Sequence, residues 1–175
     1  MFETFKQGIV GLALFFGNWM GPSTGVAEIK IEHVKRIEQA YLVSCRIDLS
    51  RDSRLEQLVD AGIPLRVALV ARPVPGDSIS LVRTLRFDVV DYTYSFTDSS
   101  SSNTMASKKF PMLLLALKEF SQWETRLPLT TSRCTFDASV LPSAVSRLGR
   151  ELDMSQIWDR QRLTITVDIR TLAEK

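Results

Sequence analysis

From residue 28 onward, apolar and polar side chains alternate with the period of two that marks half-buried strands. Ile29, Ile31, His33 and Ile37 share one face over 28–37, with Glu28, Lys30, Glu32 and Arg36 opposite. Tyr41, Val43, Cys45, Ile47 and Leu49 share a face over 40–49. The connection at Glu38-Gln39 is short, so the spacing predicts a hairpin, although the turn lacks the Gly or Asn that hairpins favour. A third strand over 65–71 turns Leu65, Val67, Leu69 and Ala71 inward, and Pro73 to Asp77 forms a turn. A long strand over 79–96 buries Leu81, Leu85, Phe87 and Val89, then presents Val90, Tyr92, Tyr94 and Phe96 in the opposite phase. A phase slip of that kind requires a bulge, a bend or burial on both faces. Two further strands follow. One over 131–140 carries Cys134, Phe136, Ala138 and Val140 on one face. The other, over 162–170, carries Leu163, Ile165, Val167 and Ile169.

Helical signals fall between these groups. Ser53 with Glu56 makes a capping-box pattern, Leu55, Leu58 and Val59 form the stripe, and Gly62 with Pro64 stops the helix. A second helix is expected from Pro111 to Trp123, with Leu113, Leu114, Leu117 and Phe120 apolar. Its Met112–Leu117 run is apolar nearly all round, more than one buried face needs. Residues 143–152 read as weakly helical and are interrupted by Gly149; Asp98 to Thr104 reads as a loop. Grouped strands with two or three helices set among them predict an α+β fold, a mainly antiparallel sheet or sandwich, in one domain over 28–175.

Ahead of that domain, residues 8–17 form an uncharged apolar run with Lys6 just before it. The run matches a signal-peptide core in length and is shorter than the ~20 residues of a spanning helix. Gly25 and Ala27 fit the small-x-small pattern of a cleavage site, which would start the mature chain at Glu28. If the leader stays uncleaved, residues 8–20 would contact the membrane as an anchor. Either outcome places the domain in the periplasm or on the outer face of the inner membrane. A buried or amphipathic N-terminal helix is the third reading.

Composition narrows the chemistry. Across 175 residues, 22 basic and 20 acidic side chains give a net charge of +2. Basic residues are not clustered, which argues against a nucleic-acid partner. His33 is the one histidine, expected as a packed core residue of the first strand. Cys45 and Cys134 both fall on apolar faces. A disulfide between them is permitted outside the cytoplasm, and two buried thiols are the alternative. Asp98-x-Ser100-x-Ser102 resembles the metal-binding loop of von Willebrand A-type domains in spacing, against the plainer reading of a solvated loop. Tyr92, Tyr94 and Phe96 beside Arg86, Lys108 and Lys109 offer either a stacking platform or an aromatic core stripe. An enzyme would have to converge polar groups such as Asp137, Ser139, Asp153 and Asp159. No catalytic, cofactor or metal motif is evident, and no cofactor is expected.

Tyr41 with its hairpin strand, Leu58-Val-Asp-Ala-Gly-Ile-Pro-Leu65, Leu115-Ala-Leu117 and Phe136-Asp-Ala-Ser-Val-Leu-Pro142 resemble the exported bacterial family called domain of unknown function 4390. Leader and element order agree, so the resemblance spans most of the chain. The tryptophan-rich ending of that family is poorly matched at Ile157-Trp158. The resemblance implies export and one sheet-rich domain, and it assigns no site residue. Together these features lead to the expectation of a non-catalytic exported envelope protein, an interaction or assembly module with a protein partner. The alternative is a carrier that holds an apolar ligand or lipid between sheet and helix.

Overall fold

The computed structural model describes residues 27–49, 53–100, 108–145, 150–152 and 163–173. The chain starts with the expected hairpin. β1 (Glu28–Ile37) and β2 (Ala40–Asp48) pair antiparallel, with Ile37 opposite Ala40. Glu38 adopts φ 40°, supplying the left-handed turn that a Gly or Asn usually provides. The register shifts between Ile31 and His33, which places one extra residue in β1. That bulge reverses the alternation, because a one-residue slip moves every later side chain to the other face. Val34 is therefore buried and His33 is exposed, the reverse of the sequence expectation.

α1 (Ser53–Asp60) follows, with Leu55, Leu58 and Val59 buried as expected. Its end is a Schellman motif: Gly62 N–H donates to Val59 O (2.9 Å) and Ile63 N–H to Leu58 O (3.0 Å). Gly62 sits at φ 78°, where a side chain would be strained.

β3 (Leu65–Val74) and β4 (Ile79–Asp88) form the next hairpin. The long strand expected over 79–96 is two strands, β4 and β5 (Thr93–Ser100), joined by a turn over 89–92. Asp88 makes the turn, its Oδ1 accepting the N–H groups of Val90 (2.9 Å) and Asp91 (3.3 Å). The phase slip in the sequence is the signature of that turn. β5 also continues through Asp98 to Ser100, where a loop was expected.

β6 (Lys108–Phe110) leads to α2 (Leu113–Phe120). The helix is shorter than expected. Gln122 starts another strand, β7 (Gln122–Pro128), which places Trp123 on a sheet rather than on a helix. β8 (Arg133–Leu141) was anticipated. The expected weak helix over 143–152 is instead a small hairpin of β9 (Ser143–Val145) and β10 (Arg150–Leu152). β11 (Leu163–Asp168) ends in α3 (Ile169–Ala173), two residues before the predicted strand end. Asp168 Oδ1 accepts the Thr171 N–H (3.1 Å) and so starts that turn.

Every described pairing is antiparallel. One sheet runs β1-β2-β7 and a larger one runs β11-β8-β3-β4-β5-β6. Their inward faces share a single core with the helices: Val43, Cys45, Ile47, Trp123 and Leu127 from the small sheet, and Leu65, Leu69, Leu85, Phe96 and Phe136 from the large one. This is the expected α+β sandwich.

Candidate interaction surface

α2 and the residue before it face two environments. Ala116, Leu117 and Phe120 are buried, and Leu113 packs partly against the core. Met112 is 57% exposed, Leu114 65% and Leu115 44%. The apolar surplus of the Met112–Leu117 run therefore points outward.

A second apolar stretch lies between β4 and β5. The turn between β4 and β5 exposes Val89 (64%), Val90 (82%) and Tyr92 (75%). Tyr92 adopts φ 51°, an uncommon conformation for a bulky residue, and its ring meets Phe87 edge-on at 6.3 Å. Lys109 Nζ reaches Asp91 Oδ2 at 2.7 Å, tying the segment that leads into α2 to the tip of the turn. Tyr94 lies opposite Phe110 in the same ladder. The pairing thus ties the segment leading into α2, which carries Met112, Leu114 and Leu115, to the end of the large sheet where Val89, Val90 and Tyr92 are exposed. Single exposed hydrophobics are ordinary; several on neighbouring segments are less so.

Arg83 holds α2 in place behind this surface. It is buried, and its guanidinium spends its donors on both sheets. Nε and Nη2 donate to Asp98 Oδ1 (2.5 Å) and Oδ2 (2.7 Å), and Nη1 donates to the carbonyls of Phe120 (2.8 Å) and Gln122 (2.5 Å). The Phe120 carbonyl belongs to the last turn of α2, where a cation complements the helix dipole. The rings of Trp123 (4.5 Å) and Phe96 (4.8 Å) flank the guanidinium carbon. At the outer side of α2, Lys108 Nζ lies 3.7 Å from Glu119 Oε2.

The other sequence candidates disperse. His33 stands on the outer face of the small sheet, opposite Ser44. Cys45 and Cys134 enter the core from opposite sheets as free buried thiols. Burial pushes the Cys45 thiol up to about 12 and that of Cys134 up to about 11. Asp98 is occupied by Arg83, and the Ser99 hydroxyl donates to Val82 O (3.2 Å). Ser102 and the Ser100 side chain lie outside the described residues. Tyr92, Tyr94 and Phe96 do not form one platform. Tyr92 is exposed, Tyr94 donates to Asp60 Oδ1 (2.8 Å), and Phe96 stacks on Phe110 in the interior. Their basic neighbours are separated too: Arg86 is exposed, and Lys108 and Lys109 are held by acidic partners.

Asp137 and Ser139 lie on the outer face of the large sheet. Asp137 accepts from Arg72 and from the Thr164 hydroxyl (2.6 Å). Asp153 and Asp159 lie outside the described residues, as does the leader up to residue 26. Ala27 packs against the core and Glu28 begins β1, so the expected cleavage point falls at the first strand boundary. Among the described residues no helix is long and apolar enough to cross a membrane, and no three His, Cys, Asp or Glu are grouped to hold a metal ion. The sequence signal for the exposed surface was present as the all-round apolar run and the phase slip. Neither could be joined to the other without the β5–β6 pairing.

Comparison with protein-family models gave no match, and neither the curated proteins nor the solved structures offered one.

Proposed function

We propose that this chain is a non-catalytic interaction or assembly module of the cell envelope, exported by its N-terminal segment and docked to a protein partner. The docking surface is the group Val89, Val90, Tyr92, Met112, Leu114 and Leu115, and its exposure is the observation that carries the reading. A partner covering it would gain about 25 cal/mol for each Å² of apolar surface removed from water. Asp88, Asp91, Lys109 and Lys118 lie within three positions of these residues in the chain and supply the polar rim that such interfaces carry. Tyr92 offers an apolar ring with a hydroxyl tip, a combination favoured at interfaces. Export rests on the leader signals and on the resemblance to the exported family.

A carrier would need an apolar space between the layers. Phe120, Trp123, Phe136, Ile47, Leu69 and Leu85 occupy that space with almost no exposure, and the apolar surplus of α2 faces out. These features favour the module.

Cell fractionation with intact-mass analysis tests the location. An envelope species starting at Glu28, or a full-length species in the membrane fraction, supports it; a full-length species in the cytoplasmic fraction overturns it. Docking is tested with the pair Val90→Asp and Leu114→Asp. In a gradient of envelope extract the chain should move from a larger complex to the position of the purified chain alone, with its unfolding midpoint unchanged. An unaltered profile would overturn the docking surface.

A further inference from the structure

The edge of the small sheet carries a charge pattern that matches itself. Among the described residues β7 pairs with β2 on one side only. The Ile47 N–H donates to Ser121 O (2.9 Å), and the register continues through Cys45–Trp123, Val43–Thr125 and Tyr41–Leu127. In an antiparallel ladder, alternate residues turn both backbone groups to the same neighbour. Trp123, Thr125 and Leu127 therefore face β2, and Gln122, Glu124 and Arg126 face away. The Gln122 carbonyl agrees, since it accepts from Arg83 on that far side. Glu124 and Arg126 turn their backbone groups outward and carry exposed side chains.

We propose that two copies of this chain pair through β7, antiparallel about a two-fold axis at Thr125. In that register Glu124 of one copy lies opposite Arg126 of the other, twice by symmetry. The two pairs exchange four main-chain hydrogen bonds, and Thr125 faces its own counterpart. Opposite charges directly across a ladder stabilise it and like charges oppose it. The neighbouring registers are each disfavoured. Centring on Glu124 or on Arg126 sets like charges face to face. Centring on Trp123 requires the Gln122 carbonyl, which Arg83 already holds. Centring on Leu127 brings in Pro128, which has no N–H to donate. Edge charges commonly guard a strand against pairing. A Glu–Arg alternation guards against strange strands and yet fits its own copy. The seam is isologous, as two-fold interfaces are, and uses none of the residues of the docking surface.

The test is sedimentation analysis of the full chain. The wild-type chain should show a concentration-dependent monomer–dimer equilibrium. Glu124→Arg and Arg126→Glu should each weaken it by roughly tenfold or more, because each sets like charges opposite at two places. Mixing the two single variants should restore a dimer, and so should the double exchange Glu124→Arg with Arg126→Glu. Both positions are exposed, so the unfolding midpoint at dilutions where every variant is monomeric should stay constant and serves as the folding control. A wild-type chain that stays monomeric at the highest attainable concentration overturns the proposal. So does a dimer that ignores these exchanges, or one that mixing fails to restore.

Discussion

Arg83 and Asp98 face each other across β4 and β5 and meet through two hydrogen bonds, 2.5 and 2.7 Å long. The pair is more than a salt bridge within one sheet. The same guanidinium holds the carbonyls of Phe120 and Gln122, so it fastens α2 and the start of β7 to the large sheet. Removing it strands a partly buried carboxylate together with the carbonyls of Phe120 and Gln122 and the more distant one of Glu119. Arg83→Ala should cost about 3 kcal/mol, measured as a lower urea midpoint. Asp98→Asn keeps an acceptor and should cost about half as much. Equal, near-zero losses would show that the pair is ornamental.

Within α2 the two faces should respond differently. Leu117 is 4% exposed, and Leu117→Ala should destabilise by about 2–3 kcal/mol. Leu114, on the outer face, should tolerate Ala with a change of about 0.5 kcal/mol or less. Equilibrium unfolding of both variants checks this. A large loss at Leu114 would mean that this face is packed rather than open.

The two faces of α2 also show what the sequence could convey. The apolar excess of Met112–Leu117 was visible, and so were the first hairpin, the Gly62 stop and the inward set of β8. Each depends on neighbours a few residues apart. The misses depend on distant ones. Asp98 reads as a loop residue because the cation that permits its place in β5 lies 15 positions earlier. Trp123 continues the three-residue spacing from Phe120, and polar Thr125 hides the alternation of β7. The bulge before His33 leaves no local mark, since either phase offers apolar residues.

The buried thiols carry a pH signature. Folded-state values of about 12 for Cys45 and about 11 for Cys134 exceed the ordinary thiol value. A raised value means that folding favours the protonated form. The associated stability is complete below the ordinary value, about 9, and is lost as pH rises through 11 to 12. Urea midpoints should fall over that window, and Cys45→Ala should reduce the slope. In native protein at pH 8 both thiols should resist a thiol reagent, and in denaturant two should react. Two unreactive sulfurs in denaturant would instead reveal a disulfide.

Tyr94 ties β5 to α1 through its hydrogen bond to Asp60. Burial, then that bond, raise its hydroxyl to about 12. Tyr94→Phe should lower stability by about 1 kcal/mol near neutral pH. Hydrogen exchange in α1 should rise in the same variant. Unchanged exchange there would show that the bond does not hold the helix.

The most direct measurement is site-specific photo-cross-linking in the producing cell, with the reactive residue placed in turn at Val90, Leu114 and Thr166. Val90 and Leu114 belong to the proposed docking surface, and Thr166 lies on the outer face of the large sheet. Val90 and Leu114 should give the same discrete adduct with one envelope protein, and Thr166 should give none. No adduct at either surface position, or equal adducts at all three, would contradict the docking surface.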